Sequence, residues 1–140
     1  MKKICFVVSS PTTAGVFLKD HINYLSNYYD IDLLANFDNN HNNHNNHNNH
    51  ITRINVPIYR KINLVSDLIA LLSLIKLFKK NEYVSVHSVT PKAGLLAMTA
   101  SFITRVPNRI HWYTGQVWVT KKGLNKSLLK FADKLINFFS

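Results

Sequence analysis

Residues 84–116, VSVHSVTPKAGLLAMTASFITRVPNRIHWYTGQ, leave few folds open. Val84, Val86 and Ile110 give the two ends the β-branched character of strands. Leu95, Leu96, Met98, Ala100, Phe102 and Ile103 fill the stretch between them as an apolar helix. Strand, helix, strand in that order reads as a right-handed crossover between parallel neighbours. The predicted fold class is therefore α/β with a mostly parallel sheet. Polar residues that trail the strands of such a sheet gather on one rim, where a crevice is the default ligand site.

The remaining sequence repeats the alternation. KKICFVVSS reads as a first strand, PTTAG as a turn-rich loop, and VFLKDHINYLSNYY as a helix with Phe17, Leu18, His21, Ile22, Leu25 and Tyr28 or Tyr29 inward. DIDLLANF is a second strand and RINVPI a third, with Pro57 near its end, where a missing N–H is tolerated. NLVSDLIALLSLIKLFKK is the strongest helix; Leu64, Leu68, Leu71, Leu72 and Ile75 form its stripe, Asn63 or Ser66 its cap, and Lys76, Lys79 and Lys80 suit its negative end. Packing of that broad apolar face on the sheet is the preferred reading, with contact to a membrane surface as the alternative. EYVSVH and RIHWY are strands four and five. LNKSLLKFADKLINFF is a closing amphipathic helix with Leu128, Leu129, Phe131, Ala132, Leu135 and Ile136 inward.

Residues 39–50, NNHNNHNNHNNH, hold no apolar or charged residue and so cannot offset the entropy of ordering; they are expected to form a low-complexity flexible loop. His41, His44, His47 and His50 invite a metal reading. With no cysteine or carboxylate within the repeat and no scaffold to fix its geometry, no metal site is assigned.

The 140 residues form one domain of common size, short for an enzyme that must hold two large substrates. Cys5, the single cysteine, sits in an apolar run and is expected to pack as a small hydrophobe in a reducing compartment. Met1, Lys2 and Lys3 lead into too few apolar residues for a signal peptide, and the longest nearly apolar window, LIALLSLI, falls far short of the roughly 18 residues of a membrane span. The net charge of +10 is lopsided: residues 1–50 carry three Lys against four Asp, whereas residues 51–140 carry fourteen Lys and Arg against three acids. Such an excess attracts nucleic acid, anionic lipid or phosphorylated small molecules. Nucleic acid has only this charge in its favour, because no reading helix or aromatic sheet motif accompanies it.

Three loops carry chemistry. SSPTTAG opens a helix after the first strand and turns backbone N–H groups toward the rim; with Gly15 alone it is no dinucleotide fingerprint. His87, Thr90 and Lys92 offer a ring, a hydroxyl and a cation suited to a hydroxylated or phosphorylated ligand. In IHWYTGQVWVTKKG, Trp112, Tyr113 and Trp118 can stack on sugars or sit at a lipid boundary, and Gly115 allows close backbone approach.

The order of elements, with VHSVTPKAGLLA and RIHWYTGQVW, resembles the N-terminal half of family 4 glycosyltransferases, two-domain GT-B enzymes that build bacterial surface polysaccharides. The resemblance covers nearly the whole chain and is strongest over residues 83–123. His87, Thr90, Pro91, Lys92, Ala93 and Gly94 match the pattern His-x-His-Thr-Pro-Lys-Ala-Gly, with Val89 replacing its second His. Thr114, Gly115 and Gln116 match a Thr-Gly-Gln variant of the later motif, and Thr114 stands where many members carry a His. The resemblance implies a Rossmann-like three-layer sandwich and retaining transfer of a sugar from a nucleotide sugar to a lipid-linked glycan. The setting it implies is the cytoplasm, at the inner face of the cytoplasmic membrane, without metal or other cofactor.

It further implies that residues 1–140 are the acceptor-binding domain, that the donor-binding domain with its paired glutamates is absent, and that the chain alone is inactive or nearly so. The expected substrate-binding set is Thr12, Thr13, Gly15, His87, Thr90, Lys92, Thr114, Gly115 and Gln116, with no catalytic residue named. The alternative function is a non-enzymatic basic module that docks on anionic membrane or a partner domain.

Overall fold

The computed structural model describes residues 1–37, 50–115 and 117–140. Five strands, β1 (Lys3–Val7), β2 (Asp30–Ala35), β3 (Ile51–Asn55), β4 (Ser85–Val89) and β5 (Asn108–Trp112), form one sheet in the order β3-β2-β1-β4-β5. Every pairing is parallel, with Phe6 opposite both Leu33 and His87, and His87 opposite Ile110. Strand burial is near-continuous in β1, β2 and β4, as expected when helices cover both faces. The architecture is the Rossmann-like three-layer α/β arrangement.

On one face, α3 (Leu64–Asn81), α4 (Pro91–Ile103) and α5 (Leu124–Phe139) pack over Cys5, Val7, Leu34 and Val86 through Ala70, Leu74, Phe78, Ala97, Ala100 and Ile136. On the other, Ala14, Leu18 and Ile22 cover Ile4, Phe6, Val8, Ile31 and Leu33. The buried carboxylate of Asp32 enters the first core because Tyr83 Oη donates to it at 2.5 Å and Lys3 Nζ at 3.3 Å.

Three local expectations are corrected. PTTAG is not a loop: Pro11 occupies the first position of α1 (Pro11–Thr13), where its missing N–H costs nothing, and the chain runs on through a π turn (Ala14–Leu18) into α2 (Lys19–Leu25). The wide turn shifts the helical phase, so Leu18 and Ile22 are buried while Phe17 and His21 face outward. In α3 the buried row is Ala70, Leu74 and Phe78, and Leu64, Leu68 and Leu72 of the expected stripe are exposed. In α5 Ile136 is buried, with Leu129, Ala132 and Leu135 half-buried, but Leu128 and Phe131 face solvent.

Candidate functional site

Because all five strands are parallel, the residues trailing β1, β4 and β5 lie on one edge of the sheet. The order reverses between β1 and β4, the position at which such sheets open a crevice. Hydroxyls meet across it. Thr90 Oγ1 donates to Ser9 Oγ at 3.2 Å, Ser10 Oγ and Thr13 Oγ1 lie 3.2 Å apart, and Arg60 Nη2 donates to Ser10 Oγ at 3.4 Å. Ser9 and Thr13 are buried, whereas Arg60 is exposed and forms no ion pair among the described residues. The unit is thus a polar seam with a solvent-facing guanidinium, chemistry that suits a phosphorylated or polyhydroxyl ligand.

Thr90 sits at the seam with φ 75° and ψ 146°, a conformation that β-branched residues rarely adopt. The hydrogen bond to Ser9 and the start of α4 at Pro91 hold it there, so strain of about 1–3 kcal/mol is stored beside the crevice. Thr12 lies exposed on α1, and Gly15 lies in the π turn, where among the described residues no atom beyond its own helical backbone and chain neighbours comes within 4 Å of the place a Cβ would take.

Lys92 has protein partners. Its ammonium is 2.6 Å from Asp67 Oδ1 and donates to the Lys61 carbonyl, with both charged side chains largely shielded from solvent. It ties the first turn of α4 to that of α3 and to the loop carrying Arg60. The cation that faces outward from the seam is therefore Arg60.

His87 lies within β4, two residues before its end, and points to the α1–α2 side of the sheet. Its ring stacks on Phe6 at 4.6 Å, its Nε2 is 3.0 Å from Ser85 Oγ, and its Nδ1 accepts from Trp112 Nε1 at 3.2 Å. Burial lowers its pKa to about 4, so the ring is neutral near pH 7. Both nitrogens are engaged, which makes it an anchor for Trp112, whose indole also meets the edge of His21 at 5.1 Å. Trp118 Nε1 donates to Asp133 Oδ2 at 2.9 Å and Lys130 lies 4.5 Å over its ring, fixing the segment after β5 to α5.

Thr114 and Gly115 are exposed just beyond β5, and Gly115 has φ 149°, which disfavours a side chain. Gln116, His41, His44 and His47 lie outside the described residues; His50 Nδ1 pairs with Asp30 Oδ1 at 2.9 Å. The structure thus brings Thr13 and Thr90 together at the seam, with Thr12 beside them on α1. Lys92 is held against α3, His87 lies on one sheet face, and Thr114 and Gly115 are further along the rim. Sequence reasoning missed Ser9, Ser10 and Arg60. The Ser–Pro pair opening a helix and the basic residues after strand three were the available signals.

A doubly wound parallel sheet with a polar rim defines a large class of nucleotide- and sugar-handling domains. Within it, this chain belongs to the glycosyl transferase 4-like family, which matches it over residues 3–138. It is 42% identical over 83 residues to the capsular polysaccharide biosynthesis glycosyltransferase CapM of Staphylococcus aureus, covering 59% of this chain and 22% of that protein. It is 32% identical over 81 residues to the UDP-Gal:alpha-D-GlcNAc-diphosphoundecaprenol alpha-1,3-galactosyltransferase of Escherichia coli, covering 58% of this chain and 20% of that protein. The chain spans about a fifth of the length of these curated relatives. Its fold is similar to that of Acinetobacter baumannii MurG, with TM-score 0.59 and 15% identity over 94% of this chain and 39% of that one.

Proposed function

We propose that residues 1–140 are the acceptor-binding domain of a retaining glycosyltransferase that moves a sugar from a nucleotide sugar to a lipid-linked glycan in surface polysaccharide synthesis. The carrying observation is the seam at the β1/β4 reversal, where four hydroxyls and the Arg60 guanidinium converge in a family member. Two relatives bear names that fit: one takes part in capsular polysaccharide biosynthesis, the other transfers galactose from UDP-galactose to a diphosphoundecaprenol-linked sugar.

In the transfer, the bond from the anomeric carbon to the nucleotide diphosphate breaks, a bond to the acceptor oxygen forms with configuration kept, and the acceptor hydroxyl loses its proton. This chain's share is binding and orientation. Arg60 faces an acceptor phosphate, and the serine and threonine hydroxyls exchange hydrogen bonds with sugar hydroxyls. Glu82, the sole glutamate, caps the C-terminal end of α3 before β4, at the sheet edge opposite the rim. Donor contacts are therefore assigned to a further domain not contained in residues 1–140. The chain works in the cytoplasm, against the inner face of the membrane that holds its acceptor; among the described residues no helix is long and apolar enough to cross one.

Calorimetric titration tests the assignment. A water-soluble, short-chain prenyl diphosphate bearing a single sugar is expected to bind, Arg60→Ala to weaken it roughly tenfold, the loss of one charge-assisted contact, and UDP-galactose to give no heat. Binding of the nucleotide sugar without binding of the acceptor analogue would reverse the assignment.

A further inference from the structure

The outward side of α3 is apolar. Leu64 is 83% exposed, Val65 71%, Leu68 57%, Ile69 52% and Leu72 57%. Residues 64, 68 and 72 form one row at four-residue spacing, and 65 and 69 a second beside it, so the exposure is one continuous strip over the first three turns. Nothing among the described residues covers it, because α3 meets the core through Ala70, Leu74 and Phe78 on its opposite side.

Cations bracket the strip. Arg60 and Lys61 precede it and are exposed, and Lys76 continues the Leu72 row one turn later, also exposed. The one acid within α3, Asp67, is half-buried against Lys92 and leaves the strip without negative charge. Residues 51–80 carry Arg53, Arg60, Lys61, Lys76, Lys79 and Lys80 against Asp67 alone.

We propose that this face of α3, with the Arg60–Lys61 loop at its head, docks the protein on an anionic membrane. The helix lies along the headgroup layer with its leucines in the acyl boundary and its cations on lipid phosphates. Charge selects this occupant: a second copy of a chain of net charge +10 would set like charges together, and nucleic acid has no use for five large aliphatic side chains. Position supports it as well. α3 starts where the chain leaves β3, at the rim that holds the crevice, and the contacts of Arg60 with Ser10 and of Lys92 with the Lys61 carbonyl tie the strip's leading end to the seam. Docking here brings a lipid-borne diphosphate level with Arg60. The inference rests on the lipid-linked acceptor reading and gives it a face.

Flotation with vesicles that contain neither glycan nor nucleotide sugar tests it. The 140-residue protein is expected to float with phosphatidylglycerol-containing vesicles at low salt and to remain behind with pure phosphatidylcholine or at high salt. Leu68→Glu/Leu72→Glu is expected to cut the bound fraction roughly tenfold, while Leu128→Glu on the exposed side of α5 leaves it unchanged; unaltered thermal melts show that each variant is folded. The proposal fails if the native protein does not float, if the α5 variant loses binding and the α3 variant keeps it, or if light scattering shows a dimer that the α3 substitutions dissociate. The acceptor titration uses a soluble analogue and needs no membrane, so failure of flotation and failure of acceptor binding are separate results.

Discussion

The imidazole of His111 lies against the backbone of Gly94 so closely that a Cβ on residue 94 would stand 2.4 Å from His111 Cε1 and 2.6 Å from Nδ1. The ring cannot easily withdraw: Ser88 Oγ is 2.8 Å from Nδ1, and the ring of Tyr113 meets it edge-on at 4.6 Å. Gly94 thus sets how near α4 comes to β5. Gly94→Ala is expected to cost about 1–3 kcal/mol by overpacking. Adding His111→Ala should return part of that loss, so a double-mutant cycle by urea unfolding should show coupling of the opposite sign to the single costs.

Thr90 offers a reversal of the usual order of substitutions. Alanine keeps the strained φ of 75° and loses the hydroxyl contact with Ser9, whereas glycine loses the contact and relaxes the strain. Thr90→Gly is therefore expected to be more stable than Thr90→Ala by about 1 kcal/mol, with acceptor binding weakened in both. Equal denaturation midpoints would show that no strain is stored there.

Lys92 is expected to matter first for folding. Lys92→Met leaves Asp67 Oδ1 shielded from water with no cation beside it and should cost about 2 kcal/mol. The further change Asp67→Asn should recover more than half of that. A stable Lys92→Met protein that has lost only ligand affinity would assign the ammonium to the ligand instead.

Acid stability should follow His87. Its pKa falls from 6.5 to about 4 on folding, so between those values the unfolded chain binds more protons than the native one. Stability is then full above pH 6.5 and declines as pH drops toward 4. The loss should be on the order of 2 kcal/mol, less than the whole shift implies because the ring is part exposed. His111 is shifted the same way, by burial, and adds to the slope. His87→Gln should flatten the decline in chemical unfolding series across this pH range.

Much of the fold was legible because local patterns there had one solution. Five apolar runs gave five strands, and LNKSLLKFADKLINFF marked α5 residue for residue. Helix faces were harder. α3 is apolar nearly all round, so periodicity offers two stripes, and Ala70, too small to stand out, opens the buried one. The π turn was invisible in composition, yet it decides that Phe17 faces outward. At the rim, the matched motif pointed to Lys92, but the engagement of that side chain depends on Asp67, twenty-five positions away, and Arg60 lay in a segment that matched no motif. Pairing across elements is what a linear pattern does not carry.

Ser9 and Thr90 touch although 81 positions separate them. A chain emerging from the ribosome can join its first three strands early, since those contacts are closer in sequence, but the recognition surface must wait until β4 slots in beside β1. Until that docking step the nascent protein carries one wall of the cleft and can capture nothing, so ligand competence should appear late and all at once.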